Sequence, residues 1–336
     1  MTDYKEADDI KRAIEVASKI VIVQADNPDA DSLASSLALE EILSNQAKVV
    51  TLFCGVDIPA YLSYIPGSDR VINDLPKQFD LSIIVDTSSD TLLEQLNKDG
   101  AKNWLAAKPC VIIDHHSTSP TIGFASIVCT HPAVATAEVI YELSRQLNWK
   151  LNPRARELIA VGILSDSLGL TSEATTARSI HIIAELVEEG VRLAQLEDIR
   201  RETMRRDPQL IHYKGELLRR VEFHADDRVA SITIPQNEIN EYSPLYNPPM
   251  LVLDDMRLAK NVQIAIAFKT YEDGRVTAKL RCNFGSAIAD KLAEHFGGGG
   301  HPYAAGFKIP KADDFNSLKA DCIKKAVELL EEQASN

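Results

Sequence analysis

The first half of the chain alternates between short apolar runs and stretches whose apolar residues recur with helical spacing. The runs are "KIVIVQA" from Lys19, "KVVTLFCG" from Lys48, "LSIIVD" from Leu81 and "CVIIDHH" from Cys110, with "SLASSLALEEILSNQ" from Ser32 as the first intervening helix. Apolar runs of this kind, separated by helices, predict βαβ units and a parallel sheet buried on both faces. Further helices are predicted over "ATAEVIYELSRQLN" from Ala135 and "NPRARELIAVGILSDSLG" from Asn152, with Pro153 suited to a first turn. From about Thr176 to Arg220 the chain still reads as helical but becomes charged, as in "DIRRETMRRDPQ".

Beyond that the pattern changes to alternation. "RVASITIP", "NVQIAIAFKTYEDGRVTAKLRCN" and "AAGFKIP" predict antiparallel strands, with Asp273 and Gly274 in a hairpin turn. A helix over "SAIADKLAEHF" and another from Phe315 to Gln333 complete a smaller α+β domain. The expected fold class is therefore α/β: a parallel-sheet domain with helices on both faces over 1–190, a helical linker over 191–220, and the α+β domain over 221–336. Two lobes with a cleft between them are expected.

A length of 336 residues suits two domains. The five cysteines, Cys54, Cys110, Cys129, Cys282 and Cys322, lack any C-x-x-C spacing, which argues against a disulfide framework or a zinc knuckle and fits a reducing cytosol. No apolar run approaches the ~20 residues that span a bilayer, and the start, "MTDYKEADDIKRAIE", reads as a charged helix. The expectation is a cytoplasmic protein without a membrane partner. A formal net charge of -13 argues against broad electrostatic binding to long nucleic acid but is compatible with a small phosphorylated substrate.

The candidate chemistry sits where the apolar runs stop. The first leads to Asp29 and Asp31, the third to Asp86, and the fourth to Asp114, His115 and His116. In an open parallel sheet the ligand site lies beyond the carboxyl ends of the strands, so these groups should converge. Asp166 interrupts the apolar helix "LIAVGILSDSLGL". Buried carboxylates are costly unless paired, so a cluster of them calls for cations. Carboxylate with imidazole and no thiolate suits Mn²⁺ or Mg²⁺, and such ions can bridge phosphate oxygens and acidify water for phosphoester hydrolysis. Asp29 and Asp31 also suit the cap of the helix that begins near Ser32.

In the second half, Gly297 to Gly300 precede His301. Four glycines clear a turn of side chains and let backbone N–H groups approach an anion, although Gly297 alone would serve as a helix C-cap. Arg281 suits bidentate contact with phosphate. His131, beside Pro132, reads as structural, and Tyr303 as packing.

In the order "NPDAD", "VDTSS", "DHH" and "LSDSLG", these motifs resemble those of the DHH phosphoesterases, and "FGGGGHPYAAGF" resembles the signature of the DHH-associated carboxy-terminal domain. Size and layout are most similar to the nanoRNase/pAp phosphatase subgroup. That resemblance implies manganese-dependent hydrolysis of very short oligonucleotides and 3′-phosphorylated nucleotides, with one or two Mn²⁺ ions and Mg²⁺ as the alternative. Asp31, Asp86, His115 and Asp166 would hold one ion, and Asp29 with a shared Asp86 the other. Asp114 and His116 would be catalytic or supporting groups on the substrate side. Arg281, Gly298, Gly299, Gly300 and His301 would grip the phosphate or base of the nucleotide. A homodimer is compatible with the resemblance. One position departs from the family pattern: Ala25 stands where a metal-binding His is usual, and Gln24, Asp26 or Asn27 are the neighbours able to replace it. The departure keeps open a homologue that binds nucleotides with little hydrolysis. A phosphodiesterase for cyclic or linear dinucleotides is the other alternative.

Overall fold

Strands β1 (Lys19–Gln24), β2 (Val49–Cys54), β3 (Leu81–Val85), β4 (Cys110–Asp114) and β5 (Ile127–Thr130) form a parallel sheet in the order β2-β1-β3-β4-β5. Around it lie α1 (Ala7–Val16), α2 (Ala30–Ser44), α3 (Glu94–Lys98), α4 (Lys102–Ala106), α5 (Thr136–Gln146), α6 (Pro153–Asp166), α7 (Ala177–Glu188) and α8 (Leu193–Thr203). The computed structural model describes residues 3–98, 100–116 and 119–334, which fall into two compact units, Met1–Arg205 and Arg206–Asn336.

Alternation along each strand divides the first unit's core. Ile20, Ile22, Ile83, Val85, Val111 and Ile113 pack against α2, α5 and α6, whereas Val21, Val23, Ile84 and Ile112 pack with Leu96 of α3 and Leu105 of α4. Both faces are thus covered, as parallel strands require. Central α2 is buried from Ala30 to Leu39, and its start is fixed by a capping box between Asp29 and Ser32. With this strand order the chain reverses direction across the sheet between β1 and β3, so the crevice for a ligand opens at the carboxyl ends of those two strands.

The second unit holds α9 (Pro208–Arg219), β6 (Glu222–His224), β7 (Val229–Pro235), α10 (Gln236–Tyr242), α11 (Leu253–Leu258), β8 (Ile264–Thr270), β9 (Val276–Cys282), α12 (Ala289–His295), β10 (Gly299–His301), β11 (Ala304–Ile309) and α13 (Phe315–Ala334). Its sheet runs β10-β11-β9-β8-β7-β6. The expectation of antiparallel pairing fails at one pair: β7 and β8 are parallel over their whole length. Parallel neighbours need a long crossover, and α10 and α11 supply it. Ile264, Ile266 and Phe268 of β8 face one core and Ala265 and Ala267 the other, so this sheet is also covered on two sides. Among the described residues, no helix is long and apolar enough to cross a membrane.

Candidate metal centre

Asp31, in the first turn of α2, is wholly buried. Its carboxylate accepts from the backbone N–H groups of Thr136 (2.6 Å) and Ala137 (3.1 Å) and from Ser35 Oγ (3.0 Å). Those amides open α5, whose own N-cap residue, Ala135, makes no side-chain cap. Asp31 therefore caps α5 from another helix and sits in the positive end of its dipole. On α6, Gly162 makes room for this: a Cβ there would lie 2.6 Å from both Asp31 Oδ1 and Ala137 Cβ.

Asp86 follows β3 with φ +61°, a left-handed conformation that Asp tolerates better than most residues. Its carboxylate is 7% exposed and accepts from Thr136 Oγ1 at 2.8 Å. Thr136 thus serves two acids, Asp31 through its backbone and Asp86 through its side chain.

His115 follows β4. Its Nδ1–H donates to the Ala133 carbonyl at 3.1 Å, which fixes the tautomer and leaves the lone pair on Nε2. That Nε2 is buried without a hydrogen-bond partner and lies 3.5 Å from Asp86 Oδ1 and 3.7 Å from Asp166 Oδ2. Ligand atoms of Asp31, His115 and Asp166 all lie within 4.8 Å of one another, as do those of Asp86, His115 and His116.

The charges within this cluster repel one another. Burial, followed by the fields of Asp31 and Asp29, pushes Asp166 up to about 7. The same three causes hold Asp86 well above the usual carboxylate range. Burial also raises Asp31, although His115 and the α5 amides pull against it. An unpartnered imidazole nitrogen facing three carboxylates that resist ionisation is a donor set that fits a hard or borderline divalent cation.

Asp114 is fully buried and oriented differently. Its Oδ1 lies 2.7 Å from His116 Nδ1. Burial pushes its carboxyl up, but the hydrogen bond from His116 outweighs that and leaves it below its usual range. The same bond raises the proton affinity of His116, which is half exposed.

Asp29 is exposed, and its Oδ1 accepts from Ser32 N at 2.9 Å in the capping box. It belongs to neither ligand group among the described residues, although its field reaches Asp31, Asp86 and Asp166.

Ala25 is buried at the end of β1. Of its three neighbours, Asn27 is exposed, and Asp26 turns toward Gln95, whose backbone N–H donates to it at 2.9 Å. Gln24 is fully buried with neither amide atom hydrogen-bonded. By strand alternation it shares the sheet face of Ile20 and Ile22, the side on which α2 carries Asp31 and α6 carries Asp166.

In the second unit the glycine run is turn in its first half only. Gly297, at φ +72°, ends α12, with the Gly297 and Gly298 N–H groups donating to Glu294 and Ala293, while Gly299–His301 form β10. A Cβ on Gly298 would lie 2.3 Å from the Gly306 carbonyl, and one on Gly300 2.5 Å from Ala305 Cα. Close approach to β11 thus requires these two glycines, whereas open space surrounds Gly299. His301 pairs with Ala304, which pairs with Arg281, so these three side chains form one row on one face of the sheet with the small residue in the middle.

Sequence reasoning did not find Thr136, Gly162 or Ala133. A lone glycine inside the apolar α6 was the one available signal.

This strand order makes the first unit a doubly wound α/β domain, with an acidic, imidazole-bearing cluster that suits a metal ion. The chain belongs to the DHH family: the model of the DHH family N-terminal domain matches residues 19–163, and that of the DHHA1 domain matches 251–336. Its relatives include the bifunctional oligoribonuclease and PAP phosphatase NrnA of Bacillus subtilis, 26% identical over 315 residues (92% of this chain, 95% of the relative). The protein of the same name from Thermus thermophilus is 26% identical over 305 residues (89% of this chain, 86% of the relative). An exopolyphosphatase-related protein from Bacteroides fragilis shares the fold, with a TM-score of 0.74 at 23% identity, covering 98% of this chain and 95% of that one.

Proposed function

We propose that this protein is a metal-dependent phosphoesterase, with Mn²⁺ as its ion, that hydrolyses very short oligonucleotides and 3′-phosphorylated nucleotides. The observation that carries the proposal is the buried, unpartnered Nε2 of His115 facing Asp86, Asp166 and Asp31. The names of the relatives, oligoribonuclease and PAP phosphatase, support this substrate class.

In this reading Asp31, Asp86, His115 and Asp166 hold one ion, and Asp29 with Asp86 contributes to a second. A divalent cation bound there supplies a Lewis acid for the phosphoryl group and acidifies water. Asp114 keeps the His116 proton in place, so the half-exposed imidazolium serves as acid toward the leaving oxygen. Arg281, the open side of Gly299 and His301, with Gly298 and Gly300 shaping the backbone between, hold the remote phosphate or base. The relatives' names favour substrates a few nucleotides long. The chain's acidic balance agrees with this.

The test is hydrolysis of a labelled RNA dinucleotide and of 3′-phosphoadenosine 5′-phosphate with added Mn²⁺, beside Asp86→Ala. Turnover that the substitution abolishes is expected, and the product ratio ranks the two substrates. Nucleotide binding without turnover would favour a second reading, a binding module, for which the Ala25 position speaks.

A further inference from the structure

The edge strand β5 ends in Cys129 and Thr130, with His131 next in the chain. Because the His131 N–H donates to the Asp114 carbonyl at 3.1 Å, extended pairing with β4 continues past Thr130. Cys129 and His131, two residues apart in extended chain, therefore point to the same side, where Tyr4 and Glu6, just ahead of α1, lie against His131. Glu6, the N-cap residue of α1, makes no cap bond with its side chain. It turns instead toward β5, its Oε2 lying 3.3 Å from His131 Nε2.

Ligand atoms of Glu6, Cys129 and His131 all lie within 4.8 Å of one another. The Tyr4 ring meets the His131 ring edge-on at 4.5 Å and restrains its orientation. The sulfur is fully buried, whereas the Glu6 and His131 side chains are 15% and 26% exposed, so the cluster opens to solvent on one side.

We propose that Glu6, Cys129 and His131 form a second cation site, selective for Zn²⁺ and separate from the carboxylate-rich centre, with water at the fourth position. Thiolate, imidazole and carboxylate together are a zinc donor set, whereas Mn²⁺ and Mg²⁺ favour oxygen. With zinc bonds of about 2.0–2.1 Å to nitrogen and oxygen, the edge of a tetrahedron between them measures about 3.3 Å, which is the Glu6–His131 separation observed. The corresponding edge to sulfur is about 3.6 Å, and since Cys129 Sγ already lies within 4.8 Å of both partner atoms, each separation has to shorten by no more than about 1.2 Å.

Burial, with the charge of Glu6, pushes the Cys129 thiol up to about 12. Ion capture therefore releases the thiol proton to solvent. The ion clips α1 to the outermost strand of the sheet and thereby braces the backbone beside Asp114.

The test is a titration of metal-free protein with Co²⁺ as the optical probe and Zn²⁺ as the competitor. Wild type should show near-ultraviolet thiolate-to-cobalt charge transfer, which Zn²⁺ abolishes. Cys129→Ser should lack this absorption and Cys54→Ser should keep it, since among the described residues no other cysteine belongs to such a group. Glu6→Gln and His131→Gln, with fold checked by circular dichroism, should weaken Zn²⁺ at least by the ~10-fold that loss of an outer partner costs. No charge transfer at saturating Co²⁺, or charge transfer undiminished in Cys129→Ser, would overturn the proposal, as would Zn²⁺ affinity unchanged in both glutamine variants.

Discussion

The backbone N–H of Thr136 donates to the carboxylate of Asp31 at 2.6 Å, and the Thr136 hydroxyl donates to Asp86 at 2.8 Å. One residue at the start of α5 therefore sets the orientation of two acids, one from the first turn of α2 and one from the end of β3. Thr136→Val keeps the shape and the backbone donor but leaves Asp86 without its hydroxyl partner. Mn²⁺ affinity, measured by calorimetric titration, should fall about 10- to 100-fold, with far-ultraviolet dichroism unchanged.

Gly162→Ala would place a methyl group 2.6 Å from Asp31 Oδ1 and from Ala137 Cβ. The gain in helix propensity, about 1 kcal/mol, is opposed by overpacking among groups that cannot retreat. Net destabilisation of about 1–3 kcal/mol in urea unfolding is expected. Unchanged stability would mean that α2 and α6 can separate.

Gln24 buries two polar amide atoms without partners, an arrangement that costs about 1–3 kcal/mol. Gln24→Met, of similar volume, should raise the melting temperature of the metal-free protein. If the amide serves the metal centre in place of the missing His, the same change should lower turnover. A variant that gains stability and keeps full activity would assign Gln24 no part in the site.

The metal centre links stability to pH. Asp166 is raised from 3.8 to about 7 and Asp86 is raised well above 3.8. A carboxyl with a raised folded-state pKa holds its proton more tightly in the native protein, so its contribution to stability is lost as pH rises from about 4 toward 7. Under the proposed function, a divalent cation bound there would replace those protons and remove the loss. The stability difference between Mn²⁺-loaded and chelator-treated protein should therefore widen across that window, as read by denaturant titration at several pH values.

The glycines of the second unit separate packing from binding. Gly298→Ala meets the Gly306 carbonyl and should destabilise the second unit. Gly299→Ala faces open space and should fold normally while weakening nucleotide binding. Equal losses of stability in the two would contradict the arrangement of β10.

The parallel sheet and the acidic strand ends were legible because an apolar run that stops at Asp is a strong local signal, as at Val85–Asp86 and Ile113–Asp114. Other features depend on contacts that one segment does not encode. The pairing of Asp31 with Thr136 spans 105 positions. Alternation in "RVASITIP" marks a strand but carries no information about direction, so the parallel pairing of β7 with β8 was missed. Likewise the glycine count showed that side chains were excluded without showing that β11 excludes them at Gly298 and Gly300. The short β5, buried fully only at Cys129, gave too little apolar sequence to stand out.

Asp31 has a last consequence, for the entropy of ion capture. Its oxygens are already held by α5 and Ser35, and His115 is already aimed by Ala133, so the rotamers of these two ligands are frozen when the domain folds. An arriving cation orders little that was loose, and its affinity is correspondingly less reduced by conformational entropy. The same rigidity narrows the range of ion sizes the site can accept without breaking the start of α5.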